Sequence, residues 1–337
     1  MPGVRPLPPR SQRAASMPSN SSQSRIVKSL TLAAVVAVGA AAMQPVSAEP
    51  FRLLAWNVES NRPGSQPTSD PQVIAGQLVS LLGEAATRAQ VVVLSEVAPE
   101  DVHTYRKAVA RGLGADVDFL TSASGGFRDA DSLLAVVDKE RFEILDACEL
   151  HRFAGIRGNF NVDDEGSSEQ GRVRARSPLV LRLRERETAT EFRLVAVHLA
   201  RGEEDLRTDQ GRMLLAWAKA TPGPLVAAGD FNFDWDFHTR RGNGGFDAMT
   251  AGGTWEWLEP DPLIDSNWAG DRDDPSRDRY PDSILDFVFV AHEARSWNGE
   301  SRVIVRPGDF PDDETTSDHR PILATFELPP PRPAQKP

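Results

Sequence analysis

The stretch 227-AAGDFNFDWDF-237 places a dense run of polar side chains directly after a buried-strand pattern. The apolar residues 225–228 indicate the close of a buried strand. Polar side chains then occupy every second position: Asp230, Asn232, Asp234 and Asp236. Gly, Asp and Asn are also common turn residues, because they adopt turn conformations and hydrogen-bond to their own backbone. The stretch alone leaves two interpretations open, a turn and an active-site strand end, with Asp234 and Asp236 as solvated loop residues in either case.

Strand-like runs recur between Phe51 and Leu328, and several are apolar at successive positions, as in strands buried against a crowded face. Helical patterns fall between some of them. Asp70 followed by Pro71 predicts an N-cap and first helical turn, and 99–113 and 206–220 are further candidate helices. Strands outnumber helices and no linker divides the region. The pattern predicts one α/β domain of packed sheets covered by helices, rather than a strictly alternating parallel fold.

Many of these runs carry a polar side chain at or near their ends. These polar side chains are Asn57, Glu96, His198, Asp230, Asn232, Asp286, Asp318 and His319. A single Asn at a strand end is usually a turn residue, and a single buried His is usually hydrogen-bonded for structural reasons. Asp286 is different, because a carboxylate between Leu285 and Phe287 needs a partner that offsets its desolvation.

Glu96, Asp230 and Asp318 would repel one another if their strand ends were neighbours. A bound divalent cation removes that conflict. Carboxylate and amide oxygens suit Mg²⁺, with Mn²⁺ and Ca²⁺ as alternatives, better than they suit zinc. Cys148 is the only cysteine, so no zinc-type cysteine cluster and no internal disulfide can form.

Residues 1–48 have the three regions of a secretory signal peptide. Arg25 and Lys28 precede the apolar run 30–43, and the small-residue pattern VSA ends at Ala48. The apolar run is shorter than the ~20 residues that span a bilayer. An uncleaved N-terminal anchor is the alternative, and Met17 competes with Met1 as the start of the chain.

Removal of this segment makes the protein strongly acidic. Residues 1–48 hold five of the 38 basic residues and none of the 49 acidic ones, which leaves 33 basic and 49 acidic residues and a formal net charge of −16. Such a charge repels polyanions over long range and disfavours tight non-specific binding of nucleic acid, although it does not exclude a local basic site.

The ordered motifs WNV, SE, HL, GDFN, LDFVFV and SDHRP resemble the endonuclease/exonuclease/phosphatase superfamily, and the resemblance covers Phe51 to Leu328. It implies a deoxyribonuclease I-like four-layer α/β sandwich, with two packed mixed β-sheets flanked by helices. We therefore expect a superfamily domain over 49–328, after the N-terminal extension and signal peptide at 1–48 and before a Pro-rich tail at 329–337.

The resemblance also implies roles for the polar residues. Glu96 would be the principal metal ligand, Asp318 would complete its carboxylate environment, and Asn57 would help to hold the metal or the substrate phosphate. Asp230 would orient or deprotonate the attacking water. Asn232 would contact the phosphate.

Both histidines take roles in proton transfer under this resemblance. His319, oriented by Asp286, would hydrogen-bond a phosphate oxygen or share in proton transfer. His198 matches members in which a second histidine lies near the leaving group. Arg176, in the motif RSP, stands where such members place a phosphate-contacting arginine, although a surface arginine is an equal interpretation; Asp131 is a weaker candidate partner for His198.

These residues predict an exported, divalent-metal-dependent phosphodiesterase whose first-choice substrate is nucleic acid, DNA or RNA. A phosphomonoesterase or a sphingomyelinase-like lipid phosphodiesterase is the alternative, and an inactive binding protein is a third. The polar segment 261–283 either borders the site and selects substrate or is a solvated surface loop. We expect a monomer with no stable membrane insertion after processing.

We predict that the exported protein begins at Glu49, because the charged, apolar and small-residue regions end at Ala48. Intact-mass measurement of secreted protein checks this. Secreted material that retains residues 30–48 would contradict it.

Overall fold

Two six-stranded β-sheets face each other in the computed structural model. The model describes residues 49–60, 69–122, 132–150, 177–201, 204–237, 239–267, 283–306 and 315–330. All of these lie in one compact unit, Pro45–Pro337. Arg176, Asp131 and most of the segment 261–283 lie outside the described residues, as do 1–48 and 331–337.

The first sheet has the strand order β11-β12-β1-β2-β4-β3. Strands β1 and β2 are parallel, and their neighbours in the sheet are antiparallel. Its strands are β1 (Phe51–Asn57), β2 (Val91–Val97), β3 (Val117–Thr121), β4 (Ser132–Asp138), β11 (Glu300–Val303) and β12 (Ile322–Phe326).

The second sheet has the order β5-β6-β7-β8-β10-β9. It also contains one parallel pair, β7 and β8, among antiparallel neighbours. Its strands are β5 (Phe142–Glu149), β6 (Leu179–Glu185), β7 (Glu191–His198), β8 (Leu225–Trp235), β9 (Trp255–Trp257) and β10 (Ile284–Ala291).

Helices cover the outer faces of both sheets and complete the four predicted layers. They are α1 (Pro71–Gly83), α2 (Val102–Leu113), α3 (Glu204–Ala220) and α4 (Gly244–Thr250). The predicted start of α1 is confirmed, because the Asp70 carboxylate accepts a hydrogen bond from the backbone N–H of Gln72 at 2.8 Å. Among the described residues, no helix combines the length and the apolar character needed to cross a membrane.

The hydrophobic core has three parts that follow these layers. A central cluster, with Phe51, Phe142 and Phe192 in ring contact, lies between the sheets. A second cluster lies between α1, α2 and the first sheet, and a third includes Met213 and Leu214 of α3 against the second sheet. Both sheets are therefore buried on two faces, which explains their successive apolar residues.

One prediction about β8 is wrong. The strand does not close at Ala228 but continues to Trp235, which pairs with Ile284 of β10. The reason is the alternation in FNFDW. Phe231 and Phe233 are buried in the cluster beneath α3, while the polar residues between them face the other way. Asp230, Asn232 and Asp234 thus lie within β8, in a stretch where left-handed backbone at Asn232 and Asp234 interrupts the regular pairing with β10.

Candidate active site

The two parallel strand pairs bring the predicted polar residues to one edge of the sandwich. Asn57 ends β1 beside Ser95 of β2, and His198 ends β7 directly beside Asp230 of β8. Asp286 lies opposite Asp230 on β10. Because the carboxyl ends of parallel strands meet at the same edge, residues far apart in sequence become neighbours.

Asn57 bridges the two sheets through its side-chain amide. Its Nδ2 donates to Glu96 Oε1 at 3.2 Å and to Asp230 Oδ2 at 3.0 Å. Its Oδ1 accepts a hydrogen bond from the backbone N–H of Glu59 at 3.1 Å. In this arrangement the amide nitrogen faces the carboxylates, so Asn57 holds Glu96 and Asp230 together as a donor, and its predicted contact with the metal or the phosphate stays a prediction.

His198 lies against the same two carboxylates. Its Nε2 is 3.3 Å from Glu96 Oε1 and 3.5 Å from Asp230 Oδ2. Within the described residues, Glu96, His198 and Asp230 offer one ligand atom each, and these atoms all lie within 4.8 Å of one another. His198 and Asp230 are buried, whereas the Glu96 side chain keeps 12% exposure and so reaches solvent.

This group fits a divalent cation by the chemistry of its donors. Two carboxylates held together at a buried edge repel each other unless positive charge or hydrogen-bond donors lie between them. Two carboxylate oxygens and one imidazole nitrogen are all cation ligands. Asp318, predicted as a further ligand, is outside this group, although its Oδ1 is 3.7 Å from His319 Nε2.

Asn232 fixes the orientation of Asp230. The backbone N–H of Asn232 donates to Asp230 Oδ1 at 2.9 Å, and its side-chain Nδ2 donates to the Leu199 carbonyl at 3.0 Å. Asp234 is exposed but engaged, since its carboxylate accepts from Asn243 Nδ2 at 3.2 Å. The contact of Asn232 with the site thus runs through Asp230, whose carboxylate it orients.

Left-handed backbone conformations concentrate at this edge. Glu96 has φ +55° and Asn232 has φ +52°, conformations that cost a non-glycine residue about 1 kcal/mol or more. Gly229, with φ +134°, precedes Asp230, and a Cβ atom there would lie 2.2 Å from the Val197 carbonyl oxygen. The close approach of β7 and β8 beside the site therefore requires glycine at this position.

His319 is held by a buried chain of hydrogen bonds. Its Nδ1 is 2.7 Å from Asp286 Oδ2, which also accepts from Ser266 Oγ at 2.8 Å. Its Nε2 faces Asp230 Oδ2 at 3.9 Å. His319 and Ser266 thus partly offset the desolvation of Asp286 at Oδ2, whereas its buried Oδ1 has no hydrogen-bond partner among the described residues. Sequence reasoning missed Ser266, because an isolated serine carries no recognisable pattern.

The charge of His319 follows from these neighbours. Burial of the ring opposes the protonated form, but the negative charges of Asp286, Asp318 and Asp230 outweigh it. Together these effects raise the pKa of His319 to about 10. At neutral pH the ring is therefore an imidazolium, which donates from Nδ1 to Asp286 and presents an Nε2 proton to the site.

Glu59 is a second residue that sequence reasoning missed. Its Oε2 accepts the backbone N–H of Asp318 at 3.1 Å, and its own N–H donates to Asn57. It therefore links the loop after β1 to the loop before β12. Burial, followed by the charge of Asp318, raises the pKa of Glu59 to about 7. Its position two residues beyond Asn57 in WNVES was the available signal.

The sequence matches no protein-family model and no curated protein. Solved structures do match. An endonuclease/exonuclease/phosphatase from Bacteroides vulgatus has 15% identity and a TM-score of 0.56, covering 83% of this chain and 100% of its own. D. rerio TDP2 complexed with a single-strand DNA product has 18% identity and a TM-score of 0.55, covering 83% and 99%. A Bacteroides thetaiotaomicron mannosyl-6-phosphatase has 13% identity and a TM-score of 0.54, covering 81% and 98%.

We predict that the free energy of unfolding of the natural protein falls as pH rises, and that Glu59→Gln abolishes this fall. Between pH 4.5 and about 7 the Glu59 carboxyl is neutral when folded and ionised when unfolded. The unfolded chain then binds fewer protons, so the free energy of unfolding falls through this window. The variant should gain on the order of 1–3 kcal/mol relative to the natural protein across it.

Urea unfolding at several pH values in the presence of EDTA measures this difference. Glu100→Gln, at an exposed position beyond β2, is the matched control; it keeps Glu59 and should follow the same pH dependence as the natural protein. Parallel stability curves for Glu59→Gln and the natural protein would contradict the prediction.

Proposed function

We propose that this chain is an exported, divalent-metal-dependent phosphoesterase. It has the deoxyribonuclease I-like fold of endonuclease/exonuclease/phosphatase structures. The bond hydrolysed is a phosphodiester, and nucleic acid is the first-choice substrate. The fold agrees with the resemblance of the six motifs. One observation carries the chemistry: Glu96, Asp230 and two histidines meet at the edge where both parallel strand pairs end.

Glu96 would be the principal ligand of the cation, with Mg²⁺ as first choice and Mn²⁺ or Ca²⁺ as alternatives, and Asp230 would place a second carboxylate beside it. When bound, the cation would supply positive charge that stabilises the phosphate oxygens in the transition state. Asn57 keeps Glu96 and Asp230 together, as its two hydrogen bonds indicate.

Asp230 would accept a proton from the attacking water. Its Oδ1 is fixed by the Asn232 backbone N–H, which leaves Oδ2 directed towards His198 and His319. A base held in one orientation transfers protons efficiently because the geometry is set before the reaction. Asn232 is a positioning residue in this scheme.

His319 would donate from Nε2 to a non-bridging phosphate oxygen. Asp286 holds the ring through Nδ1 and stabilises the imidazolium form. A preorganised cationic donor favours the charge that develops on phosphorus-bound oxygens. His198 would protonate the departing oxygen from Nε2, and Arg176, outside the described residues, would contact the phosphate.

A phosphomonoesterase or lipid phosphodiesterase is the second candidate. The net charge of −16 after processing favours a substrate smaller than a polyanion, and one structural neighbour is a mannosyl-6-phosphatase. The catalytic positions are filled, which argues against an inactive binding protein. A screen with Mg²⁺ or Mn²⁺ against plasmid DNA, RNA, sphingomyelin, sugar and inositol phosphates and bis-p-nitrophenyl phosphate distinguishes these classes.

We predict that hydrolysis needs a divalent cation held mainly through Glu96. Glu96→Gln should raise the Mg²⁺ concentration needed for half-maximal activity at least tenfold, because the uncharged amide binds the cation weakly. Calorimetric Mn²⁺ binding should weaken in parallel. Glu100→Gln, the exposed control, should bind Mn²⁺ normally, and full activity in excess EDTA would rule out the scheme.

We predict that His198 matters most for poor leaving groups. A sugar alkoxide leaves poorly without a proton, whereas p-nitrophenolate leaves readily, and general acid catalysis contributes about 10²–10⁴-fold. His198→Ala should therefore lose far more activity on DNA than on bis-p-nitrophenyl phosphate. His319→Ala should be impaired on both substrates. Equal losses for His198→Ala on both would instead indicate that His198 binds the metal or the phosphate.

A further inference from the structure

A groove of about 640 Å³ lies between α1 and α2, the two helices that cover the outer face of the first sheet. The α1 side contributes Gln72 and small or apolar residues, and α2 contributes mainly polar ones. Its lining is formed by Gln72, Ala75, Gly76, Val79, His103, Thr104, Lys107, Ala108 and Arg111. The volume is within the range of small-molecule sites.

One wall of the groove is a basic stripe, formed by His103, Lys107 and Arg111. These residues recur every fourth position on α2 and so share one helix face. All three are exposed, and their side chains form no hydrogen bond or ion pair with any residue of the described chain. The neighbouring Arg106 is different, because its guanidinium lies 4.6 Å from the centre of the Phe119 ring.

The stripe is unusual in a protein with a net charge of −16 after processing. Many exposed arginines here pair with a carboxylate, as Arg184 does with Glu191 and Arg295 with Glu256. Like charges four residues apart destabilise a helix, and Lys107 and Arg111 are such a pair. An anion bound along the stripe would remove that repulsion.

The opposite wall is apolar and open. Ala75, Gly76 and Val79 of α1 form it, and a Cβ atom added at Gly76 would meet nothing within 4 Å. Asp70 and Asp101 cap the ends of α1 and α2 that follow from the active-site loops.

We propose that this groove is a second ligand site, which binds a small phosphate-bearing anion with an apolar or planar portion, of the nucleotide class. Arg111 offers the planar guanidinium that suits phosphate oxygens, with Lys107 and the Thr104 hydroxyl beside it. From His103 to Arg111 the stripe spans about 12 Å, which is long enough for two linked phosphates. The apolar wall then takes the rest of the ligand. The proposal does not depend on the phosphoesterase activity.

Isothermal titration calorimetry on the mature protein, in EDTA so that the probe is not hydrolysed, tests this site. The probes are ADP and inorganic pyrophosphate. ADP should bind one to one and more tightly than pyrophosphate. Lys107→Gln with Arg111→Gln should weaken both probes tenfold or more. Arg106→Gln, on the same helix but directed to Phe119, is the matched control and should bind normally.

Two variants at Gly76 test the volume without changing charge. Gly76→Phe should fill the groove and weaken ADP binding tenfold or more, while Gly76→Ala should bind as the natural protein does. Circular dichroism melts confirm that each variant is folded. Glu96→Gln should retain ADP binding, which places the ligand outside the catalytic site.

The proposal is overturned if ADP does not bind, or if binding survives the double substitution on α2. It is also overturned if binding is lost in Glu96→Gln and kept in Gly76→Phe, since the anion would then occupy the catalytic site. Tighter binding of a single-stranded oligonucleotide through Lys107 and Arg111 would overturn the small-molecule assignment in favour of a polymer.

Discussion

The mutual repulsion of carboxylates at one edge of the sandwich is the constraint on which the site depends. Glu96 and Asp230 are brought together from different sheets, and Asp286 and Asp318 lie close behind them. Among the described residues, two features offset that repulsion. The amide of Asn57 lies between the first two carboxylates, and two imidazoles supply positive charge when protonated. A cation at the same place would complete this compensation, and the edge is therefore poised for metal and phosphate chemistry.

The fold has to hold these groups against their repulsion, and it does so with rigid elements. Both parallel strand pairs end at the same edge, and large clusters under and between the sheets keep those strands fixed. Left-handed backbone at Glu96 and Asn232 orients their side chains towards the site. Gly229 permits the close contact of β7 and β8 beside it. The core thus stabilises local conformations that would be unfavourable in isolation.

Charge in this protein has to be considered locally rather than as a total. The formal net charge of −11 for the full sequence, which the predicted removal of residues 1–48 would change to −16, disfavours long-range attraction of nucleic acid. The carboxylates around His319 nevertheless raise its pKa and favour a positive charge at this edge, and the basic stripe on α2 adds a cationic surface on the helices that cover the first sheet. Under the proposed function, substrate binding at the edge would rely on short-range contacts, which burial strengthens, more than on steering through solvent.

The sequence by itself determined the α/β class, the start of α1 at Asp70 and the residues that populate the site. Those features are local: apolar periodicity, a capping residue and polar side chains at strand ends are each written in a few consecutive positions. Only the tertiary structure decided which atoms meet. It directed the Asn57 amide nitrogen to the carboxylates, set His198 against Glu96 and Asp230, and recruited Glu59 and Ser266. It also continued β8 through the polar residues to Trp235. These outcomes depend on strand register and on contacts between residues up to 259 positions apart, which no local pattern encodes.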